Sequence, residues 1–530
     1  MALMAVLAVG FLTSCGSSKP KVTIPTGSLT TIVGDLPGPC DVVSYPFNIT
    51  DLVLTGPSGN GETSVATVPI NSASVSNPEI RINLGCLRDF STPLSIGPAN
   101  VGTYNLAQIW MNEPQLTFYD PTILPPSLPI NTAQLTMNPL KLYEQPVEPP
   151  LVIAKSAASV LQIDFDMLHM IQSITLNPTN NKLAVSATSL VTFTPVTAAG
   201  TNGLGFGELD DLVGFVRSVT LPPPVPLTQY NGSFSLQLLS ASITSAPLAT
   251  IYLNSSSQLY GFSNLNQVDT DDFMEVDAYI DVEGNFVATS VEDEYTECVP
   301  SSTTLCPPGS SQPGSSQPPT LAIIGPVTSL TRDSNGNVTT FNLWARDVEP
   351  NDPSVVELDT IPVVNLSSST TYQYSSRSVN FANLPFGPAN INVGQEVIVH
   401  GQVVAPSASS GSGAPQLPTL VTAYKVYDKL QSIQGSVFSL IQVAGDDKTG
   451  AFTFSPCAVM FQKTPAVVLT NNQTNFVNLT GLSALGGLGG SPTVLVKGLP
   501  FYEGQAQTIN GVPVPAGTMV ILAKQVHRLQ

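Results

Sequence analysis

A string of the form Gly-x-Val-x-Ser-[Val/Leu] occurs three times in this 530-residue chain, beginning at Gly214, Gly325 and Gly435, so that 111 and then 110 residues separate the copies. Equal spacing of one motif marks an internal repeat, and a repeat constrains the fold more tightly than any single segment can. The residues after each copy keep the same order. A second apolar stretch comes at Gly232–Leu238, Thr339–Leu343 and Gly450–Phe454. A third runs through Ile251–Leu253, Val363–Leu366 and Val467–Leu469, each leading to an aromatic residue, Tyr260, Tyr372 or Phe476. Alternating stretches at Met274–Ala278, Val397–Gly401 and Val494–Gly498 come next. Every copy closes on Ala-x-x-Val, at Ala288–Val291, Ala423–Val426 and Ala523–Val526.

Alternation with a period of two puts one face of each stretch in a core and the other outside it, which is the pattern of β-strands. Asp333-Ser-Asn-Gly-Asn337 and the segment from Gly445 to Gly450 carry the Asn, Asp and Gly that tight hairpin turns need. Five or six short strands in about 100 residues hide their edges best by closing into a small barrel. The expected class is therefore all-β, with an N-terminal β-sandwich followed by three small barrel-like or sandwich repeats. The expected boundaries are 31–206 for the sandwich, 207–299, 320–429 and 430–530 for the repeats, and 300–319 for a Pro/Ser/Gly linker whose composition cannot fill a core.

Residues 2–12 are apolar but much shorter than the ~20 residues that cross a bilayer as a helix, so they read as an export signal. The stretch ends in Leu12-Thr13-Ser14-Cys15, which resembles the lipobox of bacterial lipoproteins. The resemblance implies cleavage after residue 14, acylation of Cys15, a polar tether over 16–30, and a membrane partner reached through the lipid. Gly16 after the cysteine resembles the pattern sorted to the outer membrane.

Five further cysteines remain. No pair has C-x-x-C spacing, and with 3 histidines in the chain a zinc site is not expected. Export favours disulfides. Cys298 and Cys306 bracket a short loop and form the first expected pair; Cys40 and Cys86 are the second candidate pair. Cys457, in the apolar run after Phe452 and Phe454, reads as a buried free thiol.

The ordered motifs of residues 207–530 resemble the bacterial domain of unknown function family 5666, with the first copy departing from the others by having Asp277-Ala278 in place of His400-Gly401 and Lys497-Gly498. Gly102-Thr-Tyr104, Ile163-Asp-Phe-Asp166 and the Lys182-Leu-Ala-Val strand ending near Pro195 resemble the companion family 4382, which precedes such repeats in lipoproteins. Both resemblances imply exported β-rich modules and carry no activity with them.

Candidate sites are few. Asp164 and Asp166 share one side of a strand about 6–7 Å apart, near the separation used in glycoside hydrolysis. Without a second acid or an aromatic platform beside them they read as a solvated edge, and His169 in its apolar run reads as packed. The glycine-rich stretches 203–207 and 486–490 lack the context of a phosphate loop. Between Arg217 and Arg332 there is no Lys or Arg, while acids crowd residues 269–297. Alternation there points Met274, Val276, Ala278 and Ile280 inward and Glu275, Asp277 and Asp281 outward, toward solvent. The carboxylates could offer calcium its oxygen ligands, with Asp269, Asp271 and Asp272 the candidates, or attract a basic partner.

A net charge of −19 sets the chain against nucleic acid. The function expected is a non-catalytic, lipid-anchored structural, adhesive or binding module of the cell envelope. The alternative is a carbohydrate-binding or polysaccharide-processing partner, even an accessory of a glycoside hydrolase, using Trp110, Trp344 and tyrosines as stacking platforms. Other envelope proteins and glycans are the possible partners beyond the membrane.

Overall fold

The computed structural model describes residues 26–35, 42–57, 63–67, 80–84, 91–112, 115–119, 130–134, 141–155, 157–165, 175–177, 182–184, 191–196, 207–221, 229–238, 248–270, 272–293, 320–349, 355–404, 419–442, 446–461, 466–486 and 493–529. The protein is almost entirely β. Its N-terminal part is built on one long sheet in the order Thr63–Thr67, Pro46–Pro57, Gly102–Asn112, Lys141–Ile153, Val191–Val196, Ala158–Phe165, Thr26–Asp35, Ser91–Asn100, with Ile80–Asn83 also paired to Pro46–Pro57 and a smaller sheet of Val42–Ser44, Gln115–Tyr119 and Ile130–Gln134 beside it. The strands ending at Asn100 and starting at Gly102 adjoin in sequence but lie five places apart in that order. The sheet therefore folds over itself into two layers, with Phe47, Leu52, Tyr104, Ile109, Ile163 and Phe193 buried between them.

Three closed sheets make up the rest. The first barrel consists of Gly207–Thr220, Ser233–Leu238, Leu248–Tyr252, Phe273–Ile280 and Phe286–Asp293. The second uses Thr320–Arg332, Val338–Leu343, Val363–Asn365, Glu396–Val404 and Leu420–Asp428. The third uses Gln431–Gln442, Gly450–Pro456, Ala466–Thr470, Thr493–Glu503 and Thr518–Arg528. In each, the first strand pairs with the second and fourth, the second with the third, and the fourth with the fifth, while the third closes the ring by pairing parallel with the fifth. A five-stranded Greek-key barrel with this ring order has the topology of the OB-fold. A short extra strand in each copy, Gln258–Tyr260, Thr371–Tyr374 or Asn475–Val477, also runs parallel to the fifth.

The repeated motifs are the joints of this barrel. A Cβ on Gly214, Gly325 or Gly435 would stand 2.3, 1.7 or 2.2 Å from a backbone carbonyl oxygen on or beside the second strand, so the first position must be glycine. The Val points into the core. The next residue is a β-bulge in all three copies, and the bulge turns the Ser toward the second strand. There Ser218 hydrogen-bonds Ser235, Ser329 accepts from Asn342, and Ser439 hydrogen-bonds Thr453, at 2.6, 2.7 and 2.6 Å. The alanine of Ala-x-x-Val is buried, and its carbonyl accepts a hydroxyl from a turn after the third strand. The three bonds are Ser257 to Ala288 at 2.7 Å, Thr370 to Ala423 at 2.8 Å and Thr474 to Ala523 at 3.0 Å.

The barrels pack against one another. Leu499, Phe501, Leu522 and Val520 of the third barrel belong to the same buried cluster as Leu321, Phe341 and Val399 of the second. Gln395 donates to Asp428 within the second barrel and to the Pro500 carbonyl of the third, both at 2.7 Å. Val213, Phe215 and Phe273 of the first barrel meet Ile324, Ile398 and Tyr427 of the second. The N-terminal sheet reaches the second barrel through Arg346, which donates to the Val43 carbonyl at 2.7 Å and pairs with Glu396 at 2.8 Å.

Candidate functional site

Several expected site residues, Cys15, Cys40, Cys86, Cys298, Cys306, Asp166, His169 and Asp271, lie outside the described residues, as does the linker 300–319. Asp164 is half-buried and accepts from Gln162 at 2.7 Å; burial pushes its carboxyl above the usual range. The Asp272 carboxylate is buried and accepts the Asp269 backbone N–H at 2.7 Å, so it braces its own turn. Among the described residues no group of three His, Cys, Asp or Glu side chains could hold a metal ion.

Three expectations are corrected. Cys457 is neither buried nor free: it is exposed and disulfide-bonded, because it follows the last inward residue of its strand rather than continuing the alternation. Trp344 offers no stacking platform. It is 4% exposed, packed with Val43, Val393, Met460 and Phe461 where three parts of the chain meet, while Trp110 is half-buried on the N-terminal sheet.

The acidic face of the first barrel is also not solvated. Glu275, Asp277, Asp281 and Glu292 do point away from their own core, yet each is less than 9% exposed. Other repeats reach this face. Lys524 of the third barrel meets Asp277 at 2.6 Å, and Ser290 donates to the same carboxylate oxygen at 3.0 Å. Glu292 accepts the backbone N–H groups of Arg377 and Ser378 from the second barrel; burial raises its carboxyl above the usual range and these donors pull it back. The basic partner that the acids attract includes this chain's own Lys524.

The shared topology lets the same outer face be compared in three copies. It is formed by the second, third, fifth and fourth strands and flanked by two loops, the positions where OB-folds receive oligonucleotides and oligosaccharides. Strand register makes Ser233, Tyr252, Val287 and Tyr279 of the first barrel equivalent to Thr340, Asn365, Thr422 and Gln402 of the second and to Ala451, Leu469, Leu522 and Leu499 of the third. In the third barrel all four are buried. The long loop between its fourth and fifth strands forms a hairpin, Gln507–Ile509 with Val512–Val514, and Ile509, Val512 and Val514 join the same cluster. That face is closed by the hairpin together with the second barrel, whose residues share the same buried cluster.

The first barrel has a tight turn, Asp281–Asn285, where the third has the hairpin, and its face carries tyrosines. Tyr252 and Tyr279 are half-buried two strand spacings apart, about 10 Å, with Val287 between them. Tyr230, from the loop before the second strand, packs on Tyr252 with ring centroids 4.7 Å apart and planes at 40°. Its hydroxyl donates to Asp281 and accepts from Asn285 at 3.0 Å and Gln229 at 2.9 Å. Burial, then the Asp281 carboxylate, raises the Tyr230 phenol above its ordinary range. Asp281 in turn accepts the backbone N–H groups of Glu283 and Asn285, at 2.9 and 2.8 Å. Asn254 donates to the Tyr279 hydroxyl at 3.4 Å. Sequence reading named tyrosines as stacking platforms without placing them, because those of this site come from different strands and one loop.

No helix among the described residues is long and apolar enough to cross a membrane. The chain matches no protein-family model, and no curated protein matches it.

Proposed function

We propose that this protein is a non-catalytic binding module of the cell envelope, anchored by acylated Cys15, and that it holds its ligand on the tyrosine face of the first barrel. The observation that supports the reading is the divergence of one face across three copies of one fold. The third copy buries it under its hairpin and the second barrel, the second lines it with Thr, Asn and Gln, and the first carries three half-buried tyrosines there. Rigid aromatic rings give large contact area for little lost side-chain freedom, which is why they anchor recognition surfaces.

The packed barrels act as a scaffold. Contacts such as Lys524 to Asp277 hold the first barrel against the third, and the face is carried on strands rather than on a long loop. The test uses the full chain with Cys15→Ser, mixed with delipidated envelope and sedimented. Co-sedimentation that falls several-fold in Tyr252→Ala is the expected result. A protein that stays in the supernatant, or a Tyr252→Ala variant that sediments like its parent, overturns the reading.

A further inference from the structure

We propose that the first barrel parts reversibly from the second and third at the His400 end of their contact, and that His400 makes this opening more frequent in acid. The inference is independent of the binding-module reading above. Strand Glu396–Val404 turns Val397 and Val399 into the core of the second barrel, which leaves Ile398 and His400 on its outer side. A different barrel covers that side. Phe273 of the first barrel packs edge-on against the His400 ring with centroids 5.0 Å apart, and Val213 and Phe215 cluster with Ile324, Ile398 and Tyr427 beside it. The imidazole is thus buried by a neighbour rather than by its own core. Around this small apolar patch stand polar ties, Asp277 with Lys524 and Glu292 with the backbone N–H groups of Arg377 and Ser378. Among the described residues no strand of the first barrel pairs with a strand of the other two, so the seam can part while every sheet stays whole.

The charges around the ring set the direction. Protonation inside the closed seam would place a second cation beside Lys425, which pairs across from His400 and holds its ammonium 4.4 Å from the Tyr427 ring. The nearby acids are engaged elsewhere: Asp277 by Lys524 and Ser290, Glu396 by Arg346, and Glu292 by the amides of the second barrel. Glu275 is the other acid on the Phe273 side of its strand, while Arg217, whose guanidinium lies over Phe215, adds positive charge. Strand Thr320–Arg332 meets His400 with Ala322 and brings no charge there. Burial, then Lys425, lowers the His400 pKa to about 3, whereas a ring uncovered by the first barrel returns toward about 6.5. The open seam therefore takes up a proton that the closed seam excludes. Closure is strongest above about pH 6.5 and weakens as pH falls toward 3. Glu292 acts in the opposite sense, since burial raises its carboxyl and so favours closure as pH falls; only a comparison with His400 removed isolates the histidine.

Hydrogen–deuterium exchange of the full Cys15→Ser chain, corrected for the intrinsic pH dependence of amide exchange, tests this. The amides of Arg377 and Ser378 donate to Glu292 across the seam and report its opening; those of Phe341 and Val399, in the sheet of the second barrel, report unfolding. At about pH 7 the seam amides should be protected, but less than the sheet amides, because the seam opens before the barrel unfolds. From about pH 7 to pH 5 the parent should lose up to about 30-fold more seam protection than His400→Gln, the factor that 1.5 pH units below about 6.5 allow. Lys524→Met, which removes a tie and keeps the histidine, should lower seam protection several-fold at about pH 7 while the sheet amides remain the better protected. Seam amides as well protected as the sheet amides, or not protected at all, overturn the proposal. So do equal changes with pH in parent and His400→Gln, seam protection untouched by Lys524→Met, and a seam that tightens in acid through the histidine, as it would if Glu275 paired with the protonated ring.

Discussion

His400 is 1% exposed, with its ring between Phe273 of the first barrel and Tyr427, at centroid distances of 5.0 and 5.2 Å. Burial, helped by the charge of Lys425 on the neighbouring strand, lowers its pKa to about 3. The imidazole is therefore neutral in the folded protein at every pH of interest. In the unfolded chain it takes a proton near its ordinary value of about 6.5, so the stability it confers is full above that pH and declines as pH falls toward 3. At about pH 5 the gap is roughly 1.5 pH units, and at about 1.4 kcal/mol per unit the loss is about 2 kcal/mol. His400→Gln removes the titration. Denaturant unfolding at about pH 7 and pH 5 should show the parent losing about 2 kcal/mol more than the variant. Asp428 and Glu292, whose carboxyls burial raises, shift stability in the opposite direction but do so in both proteins and cancel in the difference. Equal losses in parent and variant would refute the claim that a neutral buried imidazole sits at this junction.

Removing either partner of the Asp277–Lys524 pair, by Asp277→Asn or Lys524→Met, should cost about 3 kcal/mol, and the double variant should cost less than the sum; additive losses in a double-mutant cycle would mean that the two side chains do not meet. Gly325→Ala should destabilise by about 1–3 kcal/mol, since its Cβ has no room beside the Trp344 carbonyl; an unchanged thermal transition would remove the steric reading of the repeat motif. Non-reducing peptide mapping should find Cys457 joined to another cysteine of the chain, and a free Cys457 thiol would contradict the structure. Cys15→Ser should release the protein from membranes, whereas continued membrane association of that variant would remove the lipid anchor.

The strands and their closure were legible in the sequence because local geometry imposes them. Gly325 must be glycine for the second strand to approach, Val327 must be apolar to fill the barrel, and Ala423 leaves room for the Thr370 hydroxyl to reach its carbonyl. Alternation tells which side of a strand a residue faces, but not what covers that side. Hence Glu275 and Asp277 were placed correctly away from their own core and wrongly in solvent; Lys524, which meets Asp277, comes from a repeat more than 200 residues later. Trp344 was misread for the same reason: its packing partners Val43 and Phe461 are far away in sequence. The tyrosine face was hard to see because Tyr230, Tyr252 and Tyr279 become neighbours only once the ring of strands closes, and only comparison with Leu469 and Leu499 shows that the first copy carries rings where the third carries aliphatic side chains.

The full chain carrying fluorinated tyrosine, with resonances assigned by single Tyr→Phe variants, allows the face to be watched directly by fluorine NMR as soluble fragments of delipidated envelope are added. The account predicts shifts or broadening confined to Tyr230, Tyr252 and Tyr279, with Tyr424 and Tyr502 on the other barrels unmoved. Unchanged spectra, or changes at Tyr424 or Tyr502 without any at Tyr252, would contradict it.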